Sequence, residues 1–171
     1  DDVVHIVQEE AGEDILRLSG AGEGDINEPI ADSYKARVRW LIANLGTAMV
    51  ASFIIAQFGA AIETMVALAI LMPIVASMGG IAGSQTLTVV VRGMALGHVN
   101  RNNLRWLFNK EFLIGALNAM LWALVIGGIA SLWFRDYHLG LIIAAAMMIN
   151  LVTAAVVGTL LPVSLKAIKI D

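Results

Sequence analysis

The uncharged stretch from Thr64 to Val91 reads TMVALAILMPIVASMGGIAGSQTLTVVV, and its residue types change along its length. It is apolar first, then small, then polar, then β-branched. Pro73 has no N–H, so inside a helix it leaves the carbonyl of Ala69 without its usual partner. In lipid such a carbonyl must face protein or a water-filled cavity. Gly79 and Gly83 form a small-xxx-small spacing that permits close backbone approach, and Gly80 lies between them. Ser84, Gln85, Thr86 and Thr88 then place neutral oxygens within a membrane-length segment. Hard cations such as Mg²⁺ take oxygen ligands and keep several waters, which amide and hydroxyl groups can hold without a fixed charge. One reading is therefore a broken helix lining an ion path, with Ala69, Pro73, Gly79, Gly80, Gly83, Ser84 and Gln85 along it. The other is a proline-kinked helix in a tight helix–helix contact, and spacing alone leaves both open.

A second group of residues could bind cations. Residues 2–18 read DVVHIVQEEAGEDILRL, with Val4, Val7, Ala11, Ile15 and Leu18 on one helical stripe. Glu9 and Glu13 are four apart, as are Glu10 and Asp14, and like charges at that spacing repel. A bound divalent cation would relieve the repulsion; a solvated face is the commoner meaning of such a run. Other chemistry is not visible. His5, His98 and His138 are far apart, and no His/carboxylate spacing matches a zinc site. There is no cysteine, no nucleophile–base arrangement and no Gly-rich phosphate loop, so an enzyme is not expected.

The elements that must position these groups follow from charge. The chain has 171 residues, of which 58% are hydrophobic and only 15% charged, against about 25% charged in soluble domains. The acids Asp1, Asp2, Glu9, Glu10, Glu13, Asp14, Glu23, Asp25, Glu28 and Asp32 crowd the first 32 residues beside one base, Arg17. Residues 1–33 are thus expected to be an acidic cytoplasmic segment, and 34–171 a transmembrane domain. Four uncharged runs imply helices at about 40–62, 64–91, 112–134 and 139–165, each exceeding the roughly 20 residues that span a bilayer. The fold class is all-α: an acidic amphipathic helix followed by a four-helix transmembrane bundle. Glu111 falls just before the third run, where a carboxylate suits a helix N-terminus. Asn44, Thr47, Ser52, Gln57, Asn118, Asn150 and Thr153 read as interhelical hydrogen-bonding groups. Trp122, in mid-run, is expected between helices.

Every base except Arg135 falls on one side of this topology, so that side is expected to be cytoplasmic, with both termini inside. No basic n-region with an early apolar stretch is present, so no signal peptide is expected. A net charge of −3 offers no general basic field, and no nucleic-acid partner is expected.

The chain resembles the MgtE family of magnesium channels. The likeness is carried by EEAGEDILRL, KARVRWLIANLGTAM, MPIVASMGGIAGSQTLTVVVRGMALG, NKEFLIG and NLVTAAVVGTLLP, in that order. It implies a homodimeric, Mg²⁺-gated channel of the cell inner (plasma) membrane, which imports magnesium, with other divalent cations as further candidate cargo. Its partners would be the lipid bilayer and the cytoplasmic CBS and N-terminal regions of a longer protein. Mg²⁺ would be both transported and regulatory ion, with no organic cofactor. Residues 2–18 would match the family's plug helix, with Glu9, Glu10, Glu13 and Asp14 as regulatory metal ligands. Ala69 to Gln85 would match the pore-lining part of its second helix, with Ala69 and Ser84 on the ion path. The family often has Asn where this chain has Ile81, and it can have Asn at the Ser84 position. Its fifth helix, which bears the selectivity Asp, is absent here, so the chain is expected to be a fragment. Competing readings are a secondary transporter of another divalent cation and a non-transporting membrane anchor with an acidic interaction helix.

Overall fold

The computed structural model describes residues 29–99 and 103–167. The acidic helix expected at 2–18, with Glu9, Glu10, Glu13 and Asp14, lies outside these. Every regular element among the described residues is an α-helix: α1 Ile30–Ala56, α2 Gly59–Thr64, α3 Val66–Ala95, α4 Leu104–Phe134 and α5 Tyr137–Ala167. Four of them (α1, α3, α4 and α5) are long and apolar enough to cross a membrane. The chain divides between Thr64 and Met65 into two compact units.

In the first unit, α1 begins directly after Pro29, whose φ of −55° is set by its ring. It starts ten residues before the uncharged run because Lys35, Arg37 and Arg39 bear charge without interrupting backbone hydrogen bonding. Lys35 and Asp32 lie one turn apart, 3.6 Å between charged atoms on the exposed surface. The run expected as one helix over 40–62 is instead two. The amides of Gln57 and Phe58 bond back three residues, to Ile54 and Ile55, and this tighter turn closes α1 before Gly59 opens α2.

In the second unit, α3 passes through Pro73 without ending. It stops in a Schellman turn: Gly97 takes φ +69°, its amide bonds Met94, and the His98 amide bonds Gly93. α4 also starts earlier than the uncharged run, at Leu104 rather than 112. Two residues then reverse the chain. Arg135 adopts a left-handed conformation, and the Asp136 carboxylate accepts the amides of His138 and Leu139, capping α5.

α5 packs against both α4 and α3, which touch each other little. The buried positions of α4 recur mainly every fourth residue: Leu107, Glu111, Gly115, Ala119, Ala123, Gly127 and then Ala130. Small residues on this stripe admit α5 closely; Gly127 and Gly140 meet backbone to backbone, beside Ala144. Larger side chains fill what remains, with Ala119 and Ala123 against Met147 and Leu151, and Leu71 of α3 against Ala130, Leu139 and Ile143. The opposite surface of α4 exposes Leu113, Leu117, Leu121, Leu124 and Trp133. Trp122 is exposed as well, because it lies one residue off the small-residue stripe. Small residues inside and large apolar ones outside suit a bundle solvated by lipid.

Candidate functional site

The second uncharged run forms one helix whose two sides differ in kind. Leu71, Gly79, Thr86 and Val90 of α3 are buried. Ala69, Pro73, Gly80, Ser84 and Thr88 are exposed and fall within roughly 100° of arc on an ideal helix. Of the seven residues expected along an ion path, five (Ala69, Pro73, Gly80, Ser84 and Gln85) are exposed, while Gly79 is buried and Gly83 half-buried.

Gly79 and Gly83 belong to the contact with α5. The Asn150 side chain occupies the space a Cβ at Gly79 would need, and its amide donates to the Val75 carbonyl at 2.5 Å. A Cβ added at Gly158 would meet the Gly83 carbonyl oxygen at 2.9 Å and Thr86 at 3.1 Å. Asn150 therefore does what an intramembrane amide commonly does, joining two helices. The tight helix contact expected from the glycines is found on one side of α3, whereas the helix expected to be broken runs unbroken through Pro73 and carries exposed Ser84, Gln85 and Thr88 on its other side.

The exposed side carries a shallow groove of about 570 Å³, lined by Gly80, Ile81, Ser84, Gln85, Thr88 and Val89. The Ser84 hydroxyl donates to the Gly80 carbonyl at 2.9 Å, which leaves its oxygen lone pairs available. Gly80 contributes backbone without a side chain. No three His, Asp or Glu side chains among the described residues are grouped to hold a metal ion. A cation in this groove would meet neutral oxygens and water, an arrangement suited to a hydrated ion rather than a stripped one.

A second cavity, about 270 Å³, lies where α3, α4 and α5 meet, bounded by Gln85, Thr86, Lys110, Glu111, Asn118 and Leu151 among others. Sequence reasoning missed its central residue. Glu111 is not in the first turn of α4 but two turns in, and only 5% of it is exposed. The signal was its place on the four-residue repeat with Gly115, Ala119 and Ala123. A third cavity, about 460 Å³, gathers Arg92, His98, Asn103, Trp106 and Lys110 near the α3–α4 turn.

The comparisons with known proteins agree on one family. The model of MgtE, described as a divalent cation transporter, matches residues 72–171. Over its whole length the chain is 32% identical to the magnesium transporter MgtE of Bacillus subtilis (strain 168). It is 30% identical to that of Thermus thermophilus and 26% to that of Enterococcus faecalis, again over its whole length. The chain spans 38% of the length of each of these relatives.

Proposed function

Because this chain belongs to the MgtE family of divalent cation transporters, we propose that it forms the membrane portion of a magnesium channel whose ion path follows the exposed side of α3. The observation that carries this reading is the groove of Gly80, Ser84, Gln85 and Thr88, which presents side-chain oxygens from a continuous membrane-length helix that contains Pro73. One helix surface is a single wall. A homodimer would supply the opposite wall from a second copy, with hydrated Mg²⁺ between them. The role is passage of an ion rather than bond chemistry.

The end of the bundle bearing Arg92, Arg105 and Lys110 would face the cytoplasm of a plasma membrane, as would the N-terminus. Import needs no chemical coupling. A divalent ion gains roughly 4.6 kcal/mol in crossing 100 mV, twice the value for one charge. The acids Glu9, Glu10, Glu13 and Asp14 would act as the internal Mg²⁺ sensor. CBS and N-terminal regions of a longer protein would be the other partners.

The test is Mg²⁺ uptake by proteoliposomes containing the full-length protein. An inside-negative potential should drive uptake without nucleotide or counter-ion. Absence of uptake, or uptake that requires an opposing ion gradient, would reject the channel.

A further inference from the structure

The geometry points to a second cation site, built around Glu111 in the cavity between α3, α4 and α5 and separate from the groove, which takes a hydrated divalent cation. The identity of the ion rests on the magnesium reading above; the site itself rests on Glu111.

Glu111 is 95% withdrawn from the surface and lines the cavity. A carboxylate taken out of water needs a compensating charge or several donors. Among the described residues no hydrogen bond or ion pair reaches the Glu111 carboxyl, and no fully buried side-chain oxygen goes unpaired, so its oxygens open onto the cavity, where water or an ion meets them. Lys110 is the nearest base in sequence and borders the same cavity. Residues one apart on a helix do not face each other, and the Lys110 ammonium sits 5.4 Å from the centre of the Trp106 ring instead.

The rest of the lining suits an ion with its water. Asn118 lies two turns beyond Glu111 on the same side of α4, and Gln85 and Thr86 come from α3. Together they add two amide groups and a hydroxyl to one carboxylate. Mg²⁺ sheds water reluctantly and is commonly held by one or two carboxylates with the remaining positions hydrated. A cavity of about 270 Å³ has room for six waters at about 30 Å³ each. Below it, Gly115 meets Ala155 and closes the space between α4 and α5. Gln85 and Val89 border both this cavity and the groove, so a cation at Glu111 would lie directly behind the wall of the ion path.

Mn²⁺ is the probe, on the full-length protein. Anomalous diffraction from crystals grown with Mn²⁺ should place a peak in this cavity, about 2 Å from a Glu111 oxygen or one water further out. Mn²⁺ counted by electron paramagnetic resonance should fall by one per protomer in Glu111→Gln and be retained in Glu111→Asp. Mg²⁺ should displace the ion, and K⁺ at equal ionic strength should not. A cavity without a peak, one filled by another side chain, or Glu111 paired with Lys110 would overturn the site, and none of these observations requires a variant to fold. An unchanged count in Glu111→Gln would overturn it too. Uptake measured in parallel separates the two proposals: flux without the peak leaves the channel and removes the site, whereas the peak without flux does the reverse.

Discussion

The side-chain amide of Asn150 reaches the backbone carbonyl of Val75 through the space that any side chain at Gly79 would occupy. One hydrogen bond and one absent Cβ therefore define the same contact between α3 and α5. It lies two residues beyond Pro73, where α3 has already lost an internal bond, and it holds the helix from the side opposite the groove.

Disrupting either partner should loosen this contact. Gly79→Val should destabilise the bundle by about 1–3 kcal/mol, the usual cost of overpacking. Asn150→Ala should cost less, about 0.6–1.7 kcal/mol, since interhelical hydrogen bonds in membranes are modest. Thermal unfolding of the full-length protein in detergent measures both. Equal stability of Gly79→Val and the parent would show that Asn150 does not sit there.

The groove makes a different prediction. Ile81 is 54% exposed and sits beside Gly80 and Ser84. Ile81→Asn adds an amide to the lining and should raise Mg²⁺ flux severalfold, whereas Ser84→Phe should fill the groove and reduce flux at least tenfold. Ser84→Ala removes only a hydroxyl and should fall between Ser84→Phe and the parent. Proteoliposome uptake at fixed potential ranks the three, and an unchanged rate in Ser84→Phe would place the ion elsewhere.

A further prediction concerns closure. Joint replacement of Glu9, Glu10, Glu13 and Asp14 by their amides should raise the open fraction at high internal Mg²⁺, read in inside-out patches of the full-length protein. It should leave the rate at low internal Mg²⁺ near that of the parent. Closure at the same Mg²⁺ concentration would remove these acids from the sensing role.

Much of the bundle was legible because charge is the strongest one-dimensional signal in lipid. Arg92 and Arg135 mark span ends well, and Pro73 with Gly79 announces an irregular helix. The same signal misleads where a helix continues beyond the hydrocarbon. Lys35 and Lys110 lie inside helices, so boundaries drawn at charged residues came too late for α1 and α4. Glu111 reads as a helix-start residue for that reason, and its burial depends on α5, about forty residues away in sequence. The break at Gln57 and Phe58 carries no proline and was invisible to hydropathy. The division of α3 into a packed side and an open side needed the position of Asn150, which spacing within α3 cannot supply.

The seam between α4 and α5 has a thermal consequence. Its glycines and alanines leave lipid, not water, when the two helices meet, so little hydrocarbon hydration changes on association. The large heat-capacity change that curves the stability of water-soluble proteins comes from that hydration. Joining α4 to α5 should therefore carry a small heat-capacity change, and the seam should keep its strength on cooling, where interfaces held together by excluded water weaken.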